Sequence, residues 1–161
     1  MADHVIVTDE DNARIITMRR PDKKNALTQD MYTAMADAIK SAQSDPNIRS
    51  IVISGGSGVF TAGNDLEDFA KANTANSDDA RPMAATQFLK ALAYNEKPLI
   101  GAVDGIAVGV GTTMLFHCDY VLASTTATFS TPFIHLGLVP EAASSLLAPR
   151  TMGHHRAFSM L

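Results

Sequence analysis

The chain has 161 residues, 46% of them apolar, and a formal net charge of −4. That is the size of one globular domain with a real core, and the acidic balance disfavours a nucleic-acid binder, which shows a basic face. The single cysteine, Cys118, excludes an intrachain disulfide and, set in an apolar run, reads as a buried thiol of a reducing compartment.

The opening MADHVIVTDED is acidic and lacks the continuous apolar stretch of a secretory segment, and no run is long and apolar enough to cross a membrane. Val5-Ile6-Val7 and Arg14 to Met18 are β-rich runs around the polar Asp9 to Asn12, which predicts a hairpin. A polar connection from Arg19 to Lys24 leads to Thr28, a suitable cap for a helix with Asp30 in its first turn. Met31, Met35, Ala38, Ile39 and Ala42 share one face of that helix and read as core. Asp45-Pro46-Asn47 ends it, and Ser50 to Ser54 is a buried strand.

A Gly-rich loop follows from Gly55. It contains no GxxxxGK[ST] and no well-placed GxGxxG, so nucleotide binding through those motifs is excluded. Gly63 can set the Asn64 N–H at a second helix start, with Leu66 to Ala70 continuing. Asn73 to Asp79 reads as a mobile loop or lid. Pro82 suits the first turn of a helix carrying Met83, Phe88, Leu89 and Leu92.

The stretch KPLIGAVDGIAVGVGTT, Lys97 to Thr113, organises the chain. Leu99 to Val103 is a short buried strand, Asp104-Gly105 breaks it, and a loop with Gly109 and Gly111 enters a short helix over Thr112 to Phe116. Backbone N–H groups at such a helix start lack helical acceptors and suit negative charge. Two readings stay open here. The glycines serve only tight helix–strand packing, or they let a ligand approach the Val110 N–H, which then donates to an oxyanion.

Beyond it, Tyr120 to Ala123 is a strand, Ala127 to Ser130 a short extended piece, and Thr131-Pro132-Phe133 a turn. Pro140-Glu141 opens a helix through Leu147, and Thr151 to Leu161 reads as the opening of another. The terminal Ser-Met-Leu is too loose a match to a peroxisomal address to use. Alternating strands and helices give an α/β fold with mainly parallel sheets. The histidines form no HExxH and there is no CxxC, so a metal centre has no support.

Four motifs, in order, resemble the crotonase (enoyl-CoA hydratase/isomerase) superfamily: RPDKKNAL at Arg20 to Leu27, FTAGNDL at Phe60 to Leu66, AVDGIAVGVG at Ala102 to Gly111, and STPFIHLGLVPE at Ser130 to Glu141. The resemblance implies a ClpP/crotonase-like spiral of repeated β-β-α units. It also implies acyl-CoA thioester substrates, with coenzyme A part of the substrate and no separate cofactor, and homotrimers or hexamers.

By that resemblance the oxyanion hole is the backbone N–H pair of Asn64 and Val110. The substrate and CoA positions are Lys24, Ala26, Leu27, Ala62, Gly63, Asp65, Leu66, Gly109 and Phe133. Lys23 and Lys24 also suit phosphates. Hydratases of the family carry glutamates where this chain has Thr113 and Phe133, neither of which does acid–base work at neutral pH.

Glu141 stands where the peroxisomal-type Δ3,Δ2-enoyl-CoA isomerases place their single catalytic Glu. The implied activity is isomerisation of 3-enoyl-CoA to 2-enoyl-CoA in fatty-acid β-oxidation. A hydratase and a non-catalytic acyl-CoA binder are the alternatives. Asp65, Asp104 and Asp119 read as cap or turn residues. Glu141 is expected at a helix start, where the dipole favours its carboxylate while Leu138 and Val139 desolvate it. Family members run further, so residues 1–161 are expected to be a core domain without the C-terminal helical trimerisation region. The expected setting is cytoplasmic in a bacterium, and peroxisomal or mitochondrial in a eukaryote.

Overall fold

The computed structural model describes residues 4–56, 58–68 and 84–161. The chain opens on the expected hairpin. Strands β1 (Val5–Glu10) and β2 (Ala13–Met18) pair antiparallel, from Val5 opposite Met18 to Glu10 opposite Ala13. The two turn residues, Asp11 and Asn12, have φ of 48° and 64°. Both signs are positive, as a two-residue turn needs to match strand twist, and Asp and Asn tolerate that region best after Gly.

Helix α1 (Gln29–Ser44) starts where Thr28 was read as its cap, with the Thr28 Oγ1 accepting from the Met31 N–H at 3.3 Å. Its buried face includes Met31, Met35, Ala38, Ile39 and Ala42, as expected, and also Tyr32 and Ala36.

From here the chain repeats one manoeuvre. Strand β3 (Ser50–Ser54) joins a five-stranded sheet, and β4 (Val59–Thr61) steps into a three-stranded one. Helical residues 66–68 follow, and helix α2 (Ala84–Ala93) returns across the core. Strands β5 (Leu99–Val103) and β6 (Ile106–Val108) repeat the step, followed by α3 (Val110–Thr113), which tightens into a 3₁₀ turn at Met114–His117. Strands β7 (Tyr120–Ala123) and β8 (Thr128–Ser130) make the third step.

The large sheet has the order β1-β2-β3-β5-β7, parallel from β2 onward, and the small one β4-β6-β8, all parallel. This is the spiral of β-β-α units. The strand–loop–helix unit legible twice in the sequence therefore occurs a third time, at β7 and β8. The core lies between the large sheet and the helices. Ile51, Ile53, Leu99, Phe60 and Phe88 are fully buried there, and the Tyr32 and Phe88 rings meet at 5.5 Å between centroids.

The structure corrects three boundaries. The helix expected from Glu141 begins at Ser144, as α4 (Ser144–Met152), because Ala142 and Ala143 have φ of 54° and 53° and cannot continue a right-handed helix. α4 also runs through Pro149, so the helix expected to open at Thr151 is instead the end of α4 and then α5 (His154–Met160). The helix expected from Thr112 starts two residues earlier, at Val110. Phe69, Ala70, the Asn73–Asp79 stretch, Pro82 and Met83 lie outside the described residues. Cys118 is half-buried, and burial pushes its thiol up to about 12, so it stays protonated at neutral pH.

Candidate active site

The three strands of the small sheet are parallel, so their C-terminal ends share one edge, where open α/β sheets bind ligands. The loops leaving those ends, at Ala62–Asn64, Gly109–Val110 and Pro132–Phe133, line a cavity of about 660 Å³. Tyr32 enters it from α1, Ala85, Thr86 and Leu89 from α2, and Leu136, Leu138, Val139 and Glu141 from the segment after β8.

Hydrogen bonds between loops fix this edge. Asn25, buried, donates its Nδ2 to the carbonyls of Gly55, Val59 and Phe60 at 2.8–3.1 Å, and its Oδ1 accepts from the Arg20 N–H at 2.7 Å. The Ala62 N–H donates to the Lys24 carbonyl at 2.9 Å, and the Leu27 N–H to the Gly63 carbonyl at 2.8 Å. A trans peptide points its N–H opposite its C=O. With the Gly63 carbonyl held on Leu27, the Asn64 N–H is turned away from that bond.

The same geometry acts at Val110. The Gly109 carbonyl accepts from the Thr112 and Thr113 N–H groups at 2.9 and 3.0 Å, which turns the Val110 N–H out of α3. Neither N–H has a hydrogen-bond acceptor among the described residues.

The glycines divide between the two readings. A Cβ on Gly111 would lie 2.4 Å from the Thr61 Cγ2, so Gly111 serves packing of α3 on β4. Gly109 has φ of 56° and nothing within 4 Å of where a Cβ would stand, so it gives open approach to the Val110 N–H. Gly63, at φ of 90°, sides with packing: a Cβ there would meet the Val108 carbonyl at 2.8 Å.

Glu141 is a half-buried carboxylate on the cavity wall and, unlike Asp65, is in no salt bridge among the described residues. Its Oε1 accepts a hydrogen bond from the hydroxyl of Thr113, which is fully buried. Burial raises its pKa, and the Thr113 bond only partly offsets this. The expected help from a helix dipole is absent, since Glu141 precedes α4 by three residues. What holds it instead is the 3₁₀ continuation of α3. The His117 Nε2 lies 2.9 Å from the Ala142 carbonyl, and since a carbonyl only accepts, the ring nitrogen is the donor. Thr113 and His117, four residues apart, thus grip Glu141 and its neighbour from the segment that begins with Val110.

The sequence profile of enoyl-CoA hydratases/isomerases matches residues 8–161. The chain belongs to the enoyl-CoA hydratase/isomerase family. Enoyl-CoA delta isomerase 2 of Rattus norvegicus is 40% identical over 159 residues, covering 98% of this chain and 40% of that protein. A probable enoyl-CoA hydratase of Mycobacterium leprae is 33% identical, covering 99% of this chain and 61% of its own length. The solved structure of a putative enoyl-CoA hydratase/carnithine racemase from Magnetospirillum magneticum superposes with a TM-score of 0.90 at 41% identity, over 100% of this chain and 62% of that one. The chain thus spans less than two thirds of each of these relatives.

Most positions that the crotonase motifs pointed to line the cavity: Ala26, Ala62, Gly63, Asn64, Asp65, Leu66, Gly109, Val110, Phe133 and Glu141. Two do not. Leu27 is a core residue, 1% exposed, and reaches the site only through its backbone bonds to Gly63 and Asp65. Lys24 is exposed and away from the lining, where Lys23 stands instead, because the left-handed Lys24 (φ 50°) turns the chain between them. Asn64 does not start a helix either; it bridges Leu27, and residues 66–68 begin the turn.

Asp65 faces the cavity with its carboxylate committed. It pairs with the Arg20 guanidinium at 2.7 Å and accepts from the Glu67 and Asp68 N–H groups, and these hold its pKa below the ordinary range. Asp104 and Asp119 likewise accept from the Gly58 and Leu99 N–H groups at 2.7 and 2.8 Å.

Reading the sequence missed Glu67, an exposed carboxylate on the lining, and Tyr32. The signal for Tyr32 was available: it lies between Met31 and Met35 on the buried face of α1, and a buried phenol needs a partner. Among the described residues no group of His, Cys, Asp and Glu could hold a metal ion, and no helix is long and apolar enough to cross a membrane.

Proposed function

We propose that this domain moves the double bond of 3-enoyl-CoA thioesters to the 2-position, with Glu141 as its one proton carrier. The reading is carried by a half-buried carboxylate, set among apolar side chains, in the same cavity as two N–H groups without acceptors among the described residues. The Glu141 carboxylate takes a proton from C2. The C–H electron pair moves into the C2–C1 bond, and the thioester C=O pair onto oxygen, where the Asn64 and Val110 N–H groups donate to the growing negative charge.

Losing one such donor typically costs ~3 kcal/mol of transition-state stabilisation. Collapse of the dienolate then takes the proton from Glu141 at C4, leaving the double bond between C2 and C3. Atoms and charge balance with one carboxylate. A carboxyl whose pKa is raised by burial suits both taking and returning the proton.

Hydration needs a second group to hold and split water. At the two positions where hydratases carry glutamates stand Thr113, already bonded to Glu141, and Phe133, 5% exposed on the cavity wall. Apolar side chains of the lining, among them Leu89, Leu136, Leu138 and Val139, fit the acyl chain, and Lys23 the phosphates of CoA. The proposal includes fatty-acid β-oxidation as the process, and a homotrimer or hexamer as the assembly. The test supplies a 3-enoyl-CoA and a 2-enoyl-CoA separately and identifies the products. Conversion of the first to a 2-enoyl-CoA is expected. Rapid formation of 3-hydroxyacyl-CoA from the second would overturn the reading in favour of a hydratase, and tight binding without turnover in favour of a binder.

A further inference from the structure

We infer that Tyr32 is a positioning residue for the Asn64 oxyanion donor: its phenol, arriving from α1, holds the Asn64 side chain and so fixes where the Asn64 N–H points. The inference rests on the oxyanion role proposed above for that N–H. Tyr32 is 1% exposed, and its ring is fixed against Phe88. Its hydroxyl donates to the Asn64 Oδ1 at 2.5 Å.

Asn64 follows Gly63, whose φ of 90° places it in the permissive part of conformational space, and the loop's own bond there, from the Gly63 N–H to the Thr61 Oγ1 at 3.1 Å, stops short of Asn64. Two backbone bonds on Leu27 grip the flanking atoms: the Gly63 carbonyl at 2.8 Å and the Asp65 N–H at 2.9 Å. Both lie on one edge of the loop. The Tyr32 bond is the third anchor and the only one of the three on the Asn64 side chain, so it opposes rotation about the line through the other two.

The bond has an electrostatic consequence as well. The Asn64 Oδ1 carries negative partial charge within one residue of the N–H that meets the enolate oxygen. With the phenol donating to it, its lone pairs are occupied and turned toward α1. Without that donor the amide is free to swing, and its oxygen would oppose the same charge that its backbone N–H stabilises. Burial and the nearby Glu141 carboxylate both push the Tyr32 phenol upward, so it remains a donor throughout the pH range in which Glu141 works.

The test uses hexanoyl-CoA labelled with carbon-13 at the thioester carbonyl, bound to the full chain, because its chemical shift reports polarisation by the N–H pair without any turnover. Tyr32→Phe keeps the ring against Phe88 and removes only the donor. It is expected to reduce the downfield shift seen in the unmodified chain and to slow exchange of the C2 hydrogens with heavy water about tenfold, the usual worth of one hydrogen bond. Affinity for hexanoyl-CoA should stay within about twofold, which a general loss of structure would not allow.

Asn64→Ala keeps the Tyr32 ring against Phe88, takes away the acceptor instead of the donor, and serves if the Tyr32 variant unfolds: its exchange rate should fall by a similar factor. The double variant should be no slower than Asn64→Ala alone, since Tyr32 acts through that side chain. An unmodified chain that binds without any shift would defeat the oxyanion reading itself. A shift that is present and survives both Tyr32→Phe and Asn64→Ala, or exchange losses that multiply in the double variant, would defeat the inference about Tyr32 alone.

Discussion

Replacing Thr113 by Val removes one atom's chemistry and almost none of its volume. The Thr113 hydroxyl is fully buried and donates to the Glu141 Oε1, so the change deletes the donor where water does not easily replace it. Two opposed influences set the Glu141 pKa: burial raises it and this bond lowers it, with burial the larger. Deleting the bond leaves burial unopposed, so the carboxyl becomes harder to ionise. A hydrogen bond to a charged group is worth about 1.5–3 kcal/mol, which is roughly a ten- to hundredfold smaller ionised fraction on the acid side of the profile.

The assay is the pH dependence of kcat/KM for a 3-enoyl-CoA. Its acid limb should move to higher pH in Thr113→Val, with the plateau rate falling less than the rate at low pH. Thr113→Ser keeps the hydroxyl and should restore the profile. If the limb stays in place in Thr113→Val, Glu141 is not the group that titrates, and the proton-carrier argument fails with it.

Glu141→Gln should bind acyl-CoA normally and lose isomerisation by about 10²–10⁴-fold or more, read as product formation from a 3-enoyl-CoA. The same variant should be more stable than the parent at neutral pH. A folded pKa raised above the unfolded one means that stability falls as pH rises through that window, so the two urea midpoints should converge below the ordinary glutamate range and separate above it. Val110→Ala keeps the N–H and most of the activity. Val110→Pro, at the first residue of α3 where Pro is tolerated, should cost ~3 kcal/mol of transition-state stabilisation in kcat while circular dichroism stays unchanged. With a 2-enoyl-CoA in labelled water, oxygen incorporation should stay at trace level beside isomerisation.

The parts of the fold legible in the sequence were those where a local rule and the tertiary environment agree. Thr28 caps α1 because its hydroxyl has an unsatisfied N–H to bond, and Met31, Met35 and Ile39 face inward because their spacing leaves them on one side. At the C-terminal end the two conflicted. Ala142 and Ala143 have high helix propensity, yet both stand at positive φ, a conformation costing roughly 1–2 kcal/mol per residue. Contacts remote in sequence sustain it, among them the His117 bond to the Ala142 carbonyl, and no reading of PEAA alone supplies them. β8 was visible only as an extended piece, since its pairing partner β6 is a neighbour in space rather than in a hairpin.

The site was legible as a set of backbone positions and illegible as a set of bonds. Motif and glycine pattern both reached Val110, and the structure adds why its N–H has no acceptor among the described residues: the Gly109 carbonyl is committed to Thr112 and Thr113, and a planar peptide does the rest. The harder lesson is Thr113. Read as a sequence, it marks a missing acid, one of two absences that argued against hydration. In the folded chain its hydroxyl is bonded to the one carboxylate proposed to work, and the 3₁₀ segment that continues from it brings His117 onto the next residue.

A glutamate at 113 would set a second carboxylate against Glu141, and two like charges at that contact could not both ionise at neutral pH. The threonine removes that coupling and leaves Glu141 to titrate against its own burial and one neutral donor. The residue that argues against a hydratase is thus the same one that spares Glu141 a second carboxylate, as the proposed single-base transfer from C2 to C4 requires.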